Sequence, residues 1–228
     1  MKWDEYISEI ELIEKQNNTE YDLYTAISNV LKERKALKKF SLRFVGNQTR
    51  TKITKLFWGL RGFPDFVVLD KDFAPTRNEI IRDKLFGAVE VKAVGKRILN
   101  NGTKDQKQLI GHLLWFNKVI YTNGLEWRFY ENKFDALSED IVEIQEISFS
   151  KAFKYVEKKN KTEEYIKNEN EEISKIEKKI DEFLNQYCTE KLECNKFILC
   201  KEENGKRVWD NREWKKLIKY LNKYNFII

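Results

Sequence analysis

Two short apolar runs carry charges where a buried strand would carry only Val or Ile, and they constrain the fold more than any other feature. The first is Phe63-Pro64-Asp65-Phe66-Val67-Val68, the second Ala88-Val89-Glu90-Val91-Lys92-Ala93. Ionised side chains are seldom buried unless paired or bound to a metal. Strand residues i and i+2 share a face. Glu90 and Lys92 therefore point the same way, and an adjacent strand carrying Asp65 can meet them. Two carboxylates and an ammonium around one point suit a divalent cation and a water made nucleophilic. The plainer reading is two amphipathic strands with polar faces outward. Apolar residues flank the charges on both sides, without clean alternation, which favours the buried reading.

The flanking segments alternate helix and strand signals. A first helix is expected over Trp3–Lys15, ended by Gln16-Asn17-Asn18. Thr19, with Asp22 three residues on, opens a second helix whose stripe is Leu23, Tyr24, Ile27, Val30 and Leu31. Glu20 lies one turn before Tyr24 on that stripe. Phe40–Val45 and Ile53–Trp58 read as strands with a turn at Gly46-Asn47. Lys71–Lys84 reads as a loop with a short helix near Glu79–Arg82, and Gly95–Gly102 as a turn-rich connection. Thr103 and Gln106 cap a helix running to Asn117. Val119–Thr122 and Leu125–Tyr130 then form a hairpin about Asn123-Gly124.

Charge is uneven along the chain. The net charge is +6. From Arg34 to Pro64 there are nine basic residues and no acidic one, so the rest of the chain sums to −3 (6 − 9). Lys38, Lys39, Arg43, Arg50, Lys52, Lys55 and Arg61 lie in this block, interleaved with Phe40, Phe44, Phe57 and Trp58. Beside the candidate carboxylates, such a block is what binding a phosphate backbone needs; a solvated basic face is the alternative. No run approaches a membrane span and no apolar leader opens the chain, so a cytoplasmic location is expected. The cysteines, Cys188, Cys194 and Cys200, are odd in number and widely spaced, which argues for reduced thiols and against disulfides or zinc. His112 is the only histidine, and no P-loop or dinucleotide fingerprint occurs.

Pro64-Asp65 followed by Glu90-Val91-Lys92 resembles the PD-(D/E)XK nuclease superfamily, over roughly Asn18 to Tyr130. The resemblance implies an α/β fold, restriction-endonuclease-like, with a mixed sheet flanked by helices. It implies a metal-dependent endonuclease of restriction, defence or mobile-element type, leaving 5′-phosphate and 3′-hydroxyl ends. Asp65, Glu90 and the Val91 backbone carbonyl would hold Mg²⁺ or Mn²⁺, and Lys92 would orient the attacking water or stabilise developing charge. Glu20 is either the helix glutamate many members add to the metal site or a first-turn acid favoured by the helix dipole. In the RecB-like and type I restriction motor-subunit branches of that superfamily a Gln-x-x-x-Tyr motif follows the lysine at roughly this distance. Here Gln108 matches, with His112 in place of tyrosine. The implied partner is double-stranded DNA, and the implied protein partner either a second copy or a restriction subunit. An inactive DNA-binding scaffold of the same fold and an RNA-directed nuclease are the alternatives.

The resemblance stops at the C-terminal third. Residues 1–148 read as the nuclease core and 149–190 as a charged helical linker. Ile173, Ile176, Ile180, Phe183 and Tyr187 form a short a/d seam, for a second copy or, given its shortness, for another helix of the same chain. Residues 191–228 read as a hairpin–helix appendage: strand Lys196–Lys201, turn Asn204-Gly205, strand Arg207–Trp209, and a helix capped by Asp210.

Overall fold

Six strands line up in chain order in one mixed sheet: β1 (Phe40–Phe44), β2 (Phe66–Asp70), β3 (Leu85–Val91), β4 (Lys118–Thr122), β5 (Glu126–Glu131) and β6 (Cys194–Ile198). This is a computed structural model, and it describes residues 1–35, 37–48, 51, 54–74, 82–98, 104–134, 138–157, 163–189 and 192–226. Every neighbouring pair is antiparallel except β3 and β4, which are parallel. Helix α3 (Lys104–Phe116) makes the crossover that a parallel pair requires.

Side-chain alternation along the strands divides the core in two. Phe66, Val68, Val89, Val91, Ile120 and Trp127 pack with helices α1 (Trp3–Gln16), α2 (Glu20–Lys32) and α6 (Asn211–Leu221). Val67, Leu69, Ala88, Val119 and Tyr121 pack with α3, α4 (Ser138–Glu157) and α5 (Glu163–Cys188). Each fully buried Leu, Ile or Val contributes roughly 1.5–3 kcal/mol relative to exposure. The chain is therefore an α/β sandwich with the sheet in the middle. Among the described residues no helix is long and apolar enough to cross a membrane.

Local chemistry sets the element ends. The Thr19 hydroxyl accepts from the Asp22 N–H at the start of α2, and Asp210 accepts from Arg212 and Glu213 at the start of α6. Asn123 Oδ1 accepts from Leu125 and Glu126 in the β4–β5 turn, where Gly124 takes φ 82°. Ile53–Trp58 differs from expectation. Ile53 lies outside the described residues, and Thr54–Phe57 is a 3₁₀ turn. Thr51 and Thr54 exchange backbone-to-hydroxyl bonds of 2.7 and 3.2 Å, a local alternative to a strand ladder. The short helix expected at Glu79–Arg82 lies outside the described residues up to 81; a 3₁₀ turn covers Arg82–Lys84.

The C-terminal third enters both layers. Ile173, Ile180 and Leu184 of α5 are buried, and α5 packs on α3 and α4. The strand expected at Lys196–Lys201 breaks at Leu199. Its first half is β6, an edge of the main sheet; its second begins a separate hairpin of β7 (Cys200–Glu203) and β8 (Lys206–Trp209) about Asn204-Gly205. Trp214, Leu217, Leu221 and Phe226 join the α1–α2 core. All three cysteines are free.

Candidate active site

Asp65 stands immediately before β2. That strand runs antiparallel to β3 with Phe66 opposite Val89, which brings Asp65 beside Glu90. Glu90 and Lys92 alternate in phase with Ala88 and so face α3. Helix α3 presents Gln108 and His112 one turn apart.

The contacts are specific. Lys92 Nζ lies 2.8 Å from Glu90 Oε1 and 3.4 Å from Gln108 Oε1, and it sits 5.7 Å from the centre of the Tyr121 ring. Asp65 Oδ1 accepts from the Tyr24 hydroxyl at 2.5 Å, and Oδ2 accepts from the Val91 N–H at 2.7 Å. His112 Nε2 lies 3.5 Å from Glu90 Oε2. Glu90 Oε2 and both nitrogens of His112 are buried with no hydrogen-bond partner among the described residues.

Burial and neighbouring charge split the two carboxylates. Burial, with the Glu90 charge added to it, pushes Asp65 up to about 7, against the opposing hydrogen bonds of Tyr24 and Val91. Burial also works to raise Glu90, but His112 and the Lys92 ammonium outweigh it and hold that carboxyl below the usual range. Burial works to lower Lys92, and the Glu90 carboxylate overcomes it, so the ammonium is held above its ordinary value. Near neutrality the site is thus a Glu90–Lys92 ion pair beside a carboxyl poised between its two forms.

These groups line a cleft of about 740 Å³. Glu20, Asp65, Glu90, Lys92 and Gln108 all reach it, so every side chain proposed from sequence for the chemistry faces one space. Glu20 is partly exposed and lies 3.9 Å from Lys96. The far wall comes from Ser148 and Lys151 of α4 and Glu177 and Ile180 of α5. Trp58 Nε1 donates to Ser148 at 3.0 Å, and the Ser148 hydroxyl donates to the Leu60 carbonyl at 2.7 Å. The nominated phosphate-binding cations divide three ways. Lys38, Lys39 and Arg43 are exposed. Lys55 is paired with Glu146 of α4, and Arg61 with Asp181 of α5. Arg50 and Lys52 lie outside the described residues.

The donor set bears on a divalent cation in two ways. Among the described residues no three His, Cys, Asp or Glu side chains cluster as ligands. Mg²⁺, however, takes only one or two carboxylates and keeps several waters. Asp65 and Glu90 repel each other, and Glu90 Oε2 is buried without a partner. In an extended strand the N–H and C=O of one residue point to the same side. The Val91 carbonyl therefore points toward Asp65, as its N–H does. Two carboxylates and a peptide oxygen fit a hard cation here.

From sequence, Tyr24 belongs only to a packing stripe, and the structure adds it to the site. It likewise adds the His112–Glu90 approach, Tyr121, and the far wall from α4 and α5. A buried-phase residue with a polar end is the one sequence signal that points to Tyr24. Compared with protein-family models, with curated proteins and with solved structures, the chain matches none.

Proposed function

We propose that this chain is a Mg²⁺- or Mn²⁺-dependent phosphodiesterase that hydrolyses the DNA backbone, on a restriction-endonuclease-like fold. The observation that carries the reading is the meeting of Asp65 with Glu90 and Lys92, 25 and 27 residues further along the chain (90 − 65, 92 − 65), at one polar cleft. A cation held by Asp65, Glu90 and the Val91 carbonyl would supply a polarised water and neutralise charge on the phosphate. Lys92 adds a fixed positive charge for the negative charge that develops on the phosphate oxygens. Gln108, 3.4 Å from Lys92 Nζ, limits where that ammonium can point. Tyr24 and the Val91 N–H hold the Asp65 carboxyl in one orientation. Hydrolysis forms a P–O bond to the water oxygen and breaks the P–O3′ bond. The 3′ oxygen leaves as a hydroxyl, and the phosphate stays on the 5′ end.

Cleavage of supercoiled plasmid tests this, with wild type beside Lys92→Ala and folding checked by circular dichroism. Cutting by wild type with Mg²⁺, lost in the folded variant, is the expected result. Equal cutting by both proteins would remove Lys92 from the mechanism and sink the proposal.

A further inference from the structure

We propose that the cleft takes an unpaired DNA strand, in preference to an intact duplex, and that bases of this strand stack on Tyr21 and Phe44 just outside the cleft. The proposal rests on the phosphodiesterase reading and deepens it to the form of the substrate.

Outside the cleft lining, an aromatic row leads from solvent to Asp65. Tyr21 is 59% exposed and Phe44 40% exposed. Their rings pack against Tyr24 at centroid distances of 5.4 and 5.1 Å, and Tyr24 bonds Asp65. The Tyr21 hydroxyl is tied to Asn47 Oδ1 at 3.1 Å, which fixes the ring although it faces water. A Cβ built on Gly46 would stand 3.2 Å from the Phe44 ring and 3.3 Å from Asp65 Oδ1. Glycine thus keeps the gap between ring and carboxylate open. Every base has a π face, so such a platform binds single strands with little sequence preference. In a duplex those faces are already stacked on neighbouring bases.

Helices α4 and α5 form the opposite wall and are joined to each other by the Lys151–Glu177 ion pair at 2.7 Å. A space of about 740 Å³ is in the range that encloses a small ligand. One flexible strand needs less of that space than a duplex does, so the cleft favours the single strand without barring a duplex from the site. Lys96 and Lys104 line the same cleft and supply positive charge for the phosphates.

Binding separates the outcomes. Short single-stranded DNA carrying one 2-aminopurine, and its duplex, are titrated with the full chain in Ca²⁺ in place of Mg²⁺. The single strand should bind at least tenfold tighter, with quenched 2-aminopurine fluorescence. Tyr21→Leu and Phe44→Leu, which keep apolar bulk without a π face, should each weaken it by about tenfold and relieve the quenching. Val208→Ala, an exposed apolar site on β8, should change neither. Duplex bound as tightly as single strand, with both variants unchanged, would overturn this inference while plasmid cleavage could still uphold the phosphodiesterase. Tighter binding of the same sequence as RNA would overturn the assignment to DNA. Binding of no nucleic acid, with no plasmid cleavage, would overturn both.

Discussion

Replacing Asp65 with asparagine should stabilise the metal-free protein, and by more at pH 8 than at pH 5.5. Asp65 is 9% exposed, and its carboxyl is pushed from 3.8 up to about 7. Between those values the unfolded chain has lost the proton and the folded chain keeps it. The folded state binds more protons, so stability falls as pH rises through this window and levels off above about 7. From pH 5.5 to the folded value is roughly 1.5 pH units, at ~1.4 kcal/mol each, which gives about 2 kcal/mol. Glu90, held low, is ionised in both states across most of that interval and adds little slope. Asparagine keeps the shape: its carbonyl can accept from the Val91 N–H while its amide donates to the Tyr24 oxygen. The assay is urea unfolding at both pH values with chelator present. Asp65→Asn should gain about 2 kcal/mol more at pH 8 than at pH 5.5, and should lose plasmid cleavage. An equal shift at both values, or a variant less stable at pH 8, would refute the idea that uncompensated charge is stored at this site.

Cation binding near pH 7 should release a proton, because a cation favours the ionised Asp65; calorimetry in buffers of different ionisation enthalpy measures it, and Asp65→Asn should abolish it. Gly59→Ala places a methyl 2.6 Å from His112 Nδ1, with that ring wholly buried against Glu90. It should lower stability by about 1–3 kcal/mol and weaken cleavage; an unchanged melting temperature would mean that the ring moves freely. Phe226→Ala should cost about 3–5 kcal/mol, since this 1%-exposed ring packs in the same core as α1 and α2. A loss below about 1 kcal/mol in denaturant would show that the C-terminal tail is peripheral.

The candidate site was legible wherever local periodicity was enough. Glu90 and Lys92 share a strand face, and Gln108 and His112 share a helix face, whatever the rest of the chain does. Only the pairing of β2 with β3, which brings Asp65 to them, is not set by local periodicity. Tyr24 was not legible as a site residue because a tyrosine in a buried helical stripe is explained by packing alone. Lys55 and Arg61 looked like free cations because their partners, Glu146 and Asp181, lie 91 and 120 residues further along the chain. The strand expected at Ile53–Trp58 gave way to Thr51 and Thr54, whose hydroxyls compete with a ladder over a span too short to show a period.

The helices beyond residue 148 mark the limit of that reasoning. A seam of two heptads states that α5 buries one face, and any apolar surface would satisfy it. That α5 packs on α3 and α4 depends on loop geometry that periodicity does not encode. The consequence is functional. Glu90 lies in β3, and Asp65 and Lys92 stand at the ends of β2 and β3, whereas part of the wall of their cleft comes from α4 and α5. On the reading proposed above, chemistry and access then belong to different parts of the chain. Neutralising the α4–α5 tie with Lys151→Met and Glu177→Leu should therefore change the ratio of single-strand to duplex cleavage, while leaving the metal requirement and the Lys92 dependence intact. Loss of all cleavage in a folded double variant would show that the wall takes part in the reaction itself.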